Sequence, residues 1–203
     1  MTTSGIFPYG STETAYLAAR DPVLGAAIAR IGQIERAVIP DLFEALVFNI
    51  VGQQISSKAL ETVWARVREA VGGITPQRIL AAGEERLRGC GLSGRKAGYM
   101  LGAAQAAVSG AVDFAGLADK PDEDVVRELT ALSGVGRWTA EMLLIFSLCR
   151  PDVLSYDDFG IRKGLCRLHG LENISRADFA AYRERYKPYG TVAAFYLWEI
   201  AAE

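Results

Sequence analysis

Apolar residues recur along this chain at intervals of three and four rather than alternating, and no run reads convincingly as a strand. The best strand candidate, by β-branched and aromatic content, is Leu46-Val47-Phe48-Asn49-Ile50-Val51. It continues the helical spacing begun at Leu42, Phe43 and Leu46 with no turn between them, so a helix is expected there. A second predicted helix opens at Pro121, with Asp122, Glu123 and Asp124 in the first turn, where proline and carboxylates suit a helix start. Its apolar stripe is Val125, Val126, Leu129 and Leu132. A third carries Ala140, Leu143, Leu144 and Phe146 and is expected to stop at Arg150-Pro151. The first twenty residues are rich in Gly, Ser and Thr and are expected to be loosely ordered, with residues 21–203 forming the folded core.

Between the second and third helices stands Leu132-Ser133-Gly134-Val135-Gly136-Arg137-Trp138-Thr139-Ala140. Gly134 and Gly136 permit a turn too tight for side chains. Backbone N–H groups of that turn and of the next helix's first residues are then left to bind an anion, for which a phosphate diester is the obvious candidate. Arg137 can add a cationic donor and Thr139 a hydroxyl. By pattern alone, the same residues serve equally as a plain helix–helix connector.

The nonamer resembles the helix-hairpin-helix element, a DNA-backbone clamp, here spanning about residues 122–148. More narrowly, it resembles the form found in the helix-hairpin-helix DNA glycosylases, in which a Gly/Pro-rich loop and one essential aspartate follow. The following loop reads Pro151-Asp152-Val153-Leu154-Ser155-Tyr156-Asp157-Asp158-Phe159-Gly160-Ile161-Arg162-Lys163, and the family's aspartate matches Asp158. Within that superfamily the chain is most similar to the 3-methyladenine DNA glycosylase II branch, which repairs alkylated bases. Three stretches support this: Val51 to Ala59 with Gln53-Gln54, Gly91 to Ala97 with Gly94-Arg95-Lys96, and Tyr186 to Ala194. The resemblance implies an all-α fold of two small helical lobes, with the active-site cleft between them. Some members carry an additional β-rich N-terminal domain, for which strand signals are missing.

Asp157 and Asp158 sit at a helix start, where capping competes with chemistry, and two adjacent acids allow one to cap while the other faces a cavity. A carboxylate held against a deoxyribose stabilises the positive charge that develops as an N-glycosidic bond breaks, and can orient a water for attack. Bifunctional members place a lysine nucleophile where this chain has Trp138, and an indole is no nucleophile. The resemblance therefore implies a monofunctional enzyme that flips out an alkylated purine, removes it, and leaves an abasic site. The alternative is a non-catalytic helix-hairpin-helix module that binds damaged DNA.

Trp138, Trp198 and Tyr156 are the candidates for the base pocket, since alkylation makes a purine cationic and an aromatic face attracts it. Trp198 also reads as core from its apolar surroundings, and Trp64 is expected in the core. Gln54 or Ile55 matches the wedge that fills the gap left by a flipped base, while Gln53 suits a role in satisfying buried backbone. Lys58, Arg95 and Lys96 are further DNA-contact candidates.

Composition trims these possibilities. The net charge of −2 argues against DNA in bulk, but local fields decide when one face meets phosphates, and few phosphate contacts are expected. Cys90, Cys149 and Cys166 are scattered and expected as buried reduced thiols, too few for an iron–sulfur cluster. A single histidine leaves little room for a histidine-based metal site or triad. No soluble cofactor is implied. The resemblance suggests a monovalent cation on the backbone of Thr130, Leu132 and Val135. With no membrane-length apolar run and no signal-like start, a cytoplasmic monomer acting on double-stranded DNA is expected.

Overall fold

The computed structural model describes residues 5–203. Among these, the chain forms eleven α-helices, one 3-10 turn (Gly116–Asp119) and one antiparallel pair of two-residue strands, β1 (Gly5–Ile6) and β2 (Ala37–Val38). The fold is all-α, as the three-and-four spacing predicts. It divides into two units, Met1–Val38 with Leu144–Glu203, and Ile39–Leu143. Among the described residues no helix is long and apolar enough to cross a membrane.

The expected loose N-terminal segment is instead built from residue 5 onward; residues 1–4 lie outside the described residues. Helix α1 (Ser11–Arg20) starts where the Glu13 carboxylate accepts the Gly10 N–H at 2.7 Å, and it buries Leu17 completely. Its small polar residues disguise one apolar anchor, and burial of that leucine offsets part of the loss of chain entropy. Helix α2 (Pro22–Ile31) follows at once, with Asp21 accepting the N–H groups of Val23 and Leu24 at 3.1 and 3.2 Å.

The first unit is completed by α9 (Phe159–His169), α10 (Arg176–Tyr186) and α11 (Gly190–Ala202). Ten residues of α11 are buried, so it is the central rod of this unit, packed against α2 and α9. Arg167 of α9 turns inward and donates to the carbonyls of Ile200 and Ala201 at 3.2 and 2.9 Å, closing the end of α11.

The second unit holds α3 (Leu42–Gly52), α4 (Ser57–Val71), α5 (Pro76–Gly89), α6 (Gly94–Ser109), α7 (Asp122–Thr130) and most of α8 (Arg137–Phe146). Helix α3, apolar nearly all round, buries seven residues and packs on α4 and α6. The α8 helix stops at Phe146, four residues before Arg150: Cys149 takes a left-handed φ of 52°, and the Arg150 N–H folds back to the Leu144 carbonyl at 2.8 Å. Trp64 is half-buried, edge-on to Phe48 at 5.2 Å, rather than core. Cys90 is buried as expected, whereas Cys149 and Cys166 are partly exposed; all three are free thiols.

Candidate functional site

The hairpin between α7 and α8 makes its two glycines unlike. Gly134 has φ +82°, and a Cβ there would collide with three ring carbons of Tyr99 from α6, so backbone and packing both demand glycine. The Gln53 amide donates to the Gly134 carbonyl at 2.9 Å, and the Val135 N–H donates to the Leu132 carbonyl at 3.2 Å. Gln53 thus satisfies hairpin backbone, as expected for it. Gly136 is under no such demand: its φ lies outside the left-handed region and nothing lies within 4 Å of a Cβ placed there. It instead keeps the exposed hairpin surface bare where the first amides of α8 begin. Of the three carbonyls assigned to a monovalent cation, that of Leu132 already accepts one N–H, which leaves it one lone pair.

Beside the hairpin lies a hollow of about 790 Å³. The structure gathers here Gly134, Trp138 and Thr139 from the hairpin and α8, Arg95, Lys96 and Tyr99 from α6, and Gln54 after α3. Trp138 is 41% exposed, an unusual state for a large aromatic ring, while Thr139 is buried. Lys96 donates to the last-turn carbonyl of Val51 at 2.8 Å, and burial pushes its ammonium below the usual lysine range. It braces α6 to α3 while lining the hollow. Gln54 holds a left-handed φ of 57°, rare for a residue with a side chain. Ile55 is exposed but lies outside the lining, as do Lys58, Gly136 and Arg137.

Arg137 corrects a sequence expectation. Its guanidinium is bound by Glu123 of α7 at 2.7 and 3.2 Å and by Glu141 one turn on at 2.9 Å. It ties α7 to α8 instead of presenting a bare cation to a phosphate.

In the other unit, the loop ahead of α9 is pinned by α11. The Thr191 hydroxyl donates to the Arg150 carbonyl at 2.6 Å and accepts from Val153 N–H at 2.9 Å, and the Asp152 carboxylate accepts from Gly190 N–H at 3.2 Å. The stretch from Tyr186 to Ala194 thereby holds residues 150–153, where the loop begins. Asp158 is the N-cap of α9. Its Oδ1 accepts two N–H donors, Ile161 N at 2.8 Å and Trp198 Nε1 at 3.0 Å, and the residue keeps 7% exposure. Capping and candidate chemistry therefore fall on one carboxylate. Asp157 does not share them; it is exposed and pairs with Arg176 at 3.3 Å.

Trp198 is half-buried, stacked on Phe146 at 5.8 Å and 21°, with its N–H edge given to Asp158. It serves the carboxylate rather than a purely apolar core. Tyr156 departs from the base-pocket expectation. Arg176 and Arg162 lie 4.1 and 5.0 Å from its ring centroid, and it meets Phe179 edge-on at 5.2 Å, so the protein's own cations already use its π face. Three residues, one beside the hairpin and two beside Asp158, went unmarked in the sequence. Tyr99 touches Gly134 from a distant helix, Phe159 is 71% exposed directly after Asp158, and Gly160 lies against Trp198. Only the last carried a signal, a glycine where a helix begins.

The sequence and the fold have known relatives. Residues 47–188 match the model of the HhH-GPD superfamily base excision DNA repair protein. The DNA-3-methyladenine glycosylase 1 of Schizosaccharomyces pombe is 36% identical over 162 residues, 77% of this chain and 71% of that protein. The DNA-3-methyladenine glycosylase 2 of Escherichia coli is 28% identical over 191 residues, 87% of this chain and 65% of that protein. A crystal structure of the DNA-3-methyladenine glycosidase from Bacillus halodurans superposes with a TM-score of 0.85 at 36% identity, covering 97% of this chain and 92% of that one. The S. pombe 3-methyladenine DNA glycosylase in complex with abasic DNA superposes at 0.80 with 30% identity, over 93% and 96% of the two chains. The family model covers more than half of the chain, and the relatives and solved structures match it over most of its length: the chain belongs to the HhH-GPD superfamily of base excision DNA repair proteins.

Proposed function

We propose that this protein is a monofunctional DNA glycosylase that removes alkylated, cationic purines from double-stranded DNA and leaves an abasic site. The observation that carries this reading is Asp158, a carboxylate almost withdrawn from water whose Oδ1 is fixed by two N–H donors. A charge so held needs no reorganisation to meet a developing sugar cation, which is where electrostatic catalysis is strongest. Water adds to the anomeric carbon as the base departs with the glycosidic electrons, the surplus proton of that water passes to solvent, and the positive charge of an alkylated base makes it the better leaving group.

The hairpin amides beyond Gly136 take a backbone phosphate, with Arg95 and Lys58 as exposed supporting cations and Thr139 as a hydroxyl donor. A monovalent cation on the carbonyls of Thr130, Leu132 and Val135 belongs to the same reading. Trp138 offers its exposed ring to the base, and the left-handed backbone of Gln54, set in the hollow, favours it over Ile55 as the wedge. Trp138 standing in place of a lysine supports release of the base without strand cutting. The same reading has the protein act as a monomer on DNA in the cytoplasm.

The test is base release from duplexes carrying methylated, etheno or deaminated purines. Wild type should release the methylated bases and leave the strand intact until heat or alkali is added. Asp158→Asn keeps the helix cap, since asparagine caps as well as aspartate. It should abolish release while binding the same duplex. Unchanged release by that variant, or strand nicking by wild type without added alkali, would sink the assignment. Trp138→Ala should lose more activity on methylated than on deaminated purines.

A further inference from the structure

The hydrogen bond from Trp198 to Asp158 depends on the residue between them in space, Gly160. An ideal Cβ at Gly160 would stand 2.8 Å from Trp198 Cδ1, 3.3 Å from its Nε1 and 3.1 Å from Asp158 Oδ1. The first distance is closer than carbon atoms tolerate, so any side chain there displaces the indole, the carboxylate or both. Backbone conformation is not what requires the glycine, because its φ lies outside the left-handed region. Space is. One turn further along α9, a Cβ on Gly164 would run into the carbonyl of Leu197, the residue before Trp198. The two glycines thus let α11 lie against the backbone of α9 at the point where the indole must arrive. Nor can the indole simply step back. It is stacked on Phe146 at 5.8 Å and 21° and lies 6.0 Å from Phe195 at 30°.

We propose that Gly160 is a positioning residue for base excision: lacking a side chain, it admits the Trp198 indole to Asp158 Oδ1 and so fixes the rotation of that carboxylate. The inference rests on the reading of Asp158 as the group that faces the sugar. It goes beyond that reading by assigning the geometry of the acid to a glycine and a tryptophan about one helix apart.

Three variants decide it: Gly160→Ala, Trp198→Phe, and the two combined. They are measured by single-turnover release of a methylated purine, by affinity for an abasic-site duplex, and by the indole N–H resonances in a ¹H–¹⁵N spectrum. The Trp198 signal is the one missing from Trp198→Phe. Gly160→Ala should lower the single-turnover rate about tenfold, the size expected for losing one hydrogen bond to a charged group, and leave duplex affinity within about twofold. Its Trp198 resonance should move. Trp198→Phe retains the stack on Phe146 but has no N–H, so its rate should fall to a similar degree. Adding Gly160→Ala to it should cost no more than about another twofold, because the indole N–H that the new methyl would displace is already gone while the Ile161 N–H still holds Oδ1.

A wild-type rate in Trp198→Phe overturns the proposal, and that arm does not depend on how Gly160→Ala folds. So does an unmoved Trp198 resonance in Gly160→Ala, or an undiminished further loss in the double variant. If wild type itself releases no base, the reading of Asp158 fails instead, and the resonance still reports whether Gly160 sets the pairing.

Discussion

At the scale of single residues, the hairpin glycines separate folding from binding. Sequence shows both as missing side chains and treats them alike. In the structure Gly134 combines φ +82° with a Tyr99 ring occupying the space of a Cβ, whereas a Cβ on Gly136 meets nothing. Gly134→Ala should therefore cost about 2–4 kcal/mol, the sum of left-handed strain and overpacking, read as a lowered melting temperature. Gly136→Ala should leave stability within about 1 kcal/mol, since substitutions clear of such features cost little, yet weaken duplex binding by crowding the phosphate's approach. Equal melting losses for the two would refute this division. Asp158 was singled out by its match to the family's aspartate, but the Trp198 indole that bonds to it lies forty positions on, and no local pattern announces that bond. Arg137 was misjudged for a related reason. A sequence displays the cation plainly, while Glu123, fourteen residues earlier, becomes its partner only once α7 and α8 stand side by side. Glu141, at i+4 on the same helix, was the one available clue.

At the scale of elements, periodicity located the helices of the hairpin well and their ends less well, because ends are settled by hydrogen bonds rather than by hydrophobic spacing. Helix α1 escaped notice since its composition resembles a loop and only Leu17 anchors it. The joint between α1 and α2 shows what such composition conceals. Asp21, 2% exposed, caps α2 and accepts the Tyr186 hydroxyl of α10 at 2.8 Å, with Arg185 at 3.4 Å. His169 Nε2, at the end of α9, stands 3.3 Å away without hydrogen-bond geometry. Burial pushes Asp21 up, but the bonds from Tyr186 and Leu24 and the charges of His169 and Arg185 outweigh it and hold the carboxyl below its usual range. Burial pushes His169 down, only partly opposed by Asp21. Both groups thus bind protons more weakly when folded than unfolded, so both make stability rise with pH. The histidine contribution is complete above about pH 6.5 and is lost as pH falls through the depressed folded value; that of Asp21 is lost below about pH 3.9 in the same way. Thermal melts should therefore fall between pH 7 and pH 5. His169→Gln should flatten that interval and leave the steeper acid loss in place. A melt in wild type that is flat from pH 7 to pH 5 would contradict the assignment.

At the scale of the whole molecule, periodicity made the all-α class legible and the family resemblance implied two helical lobes, but neither said which residues compose each. Residues up to Val38 belong with the C-terminal sixty rather than with the helices that follow them, a long-range association that no sequence interval encodes. Charge poses the sharper problem, because a chain of net charge −2 must still hold a polyanion. The structure narrows how. Arg137 is neutralised by two glutamates, Arg167 closes α11, and Lys96 spends one donor on Val51, which leaves Arg95 and Lys58 as exposed cations near the hairpin and α4. On the proposed reading backbone amides provide a large share of the phosphate grip, and amides displace few counterions. A plot of log affinity against log salt for a lesion duplex should accordingly have a shallow slope, about −2 to −4. Arg95→Ala should make it shallower by about 0.9, the value for one phosphate contact, with little change in melting temperature. Arg137→Ala should do the reverse, lowering the melting temperature by loosening α7 from α8 while moving the slope by less than half that amount. If Arg137→Ala instead removes a full contact from the slope, the guanidinium leaves its glutamates when DNA arrives, and the hairpin grips phosphate with a cation as well as with its amides.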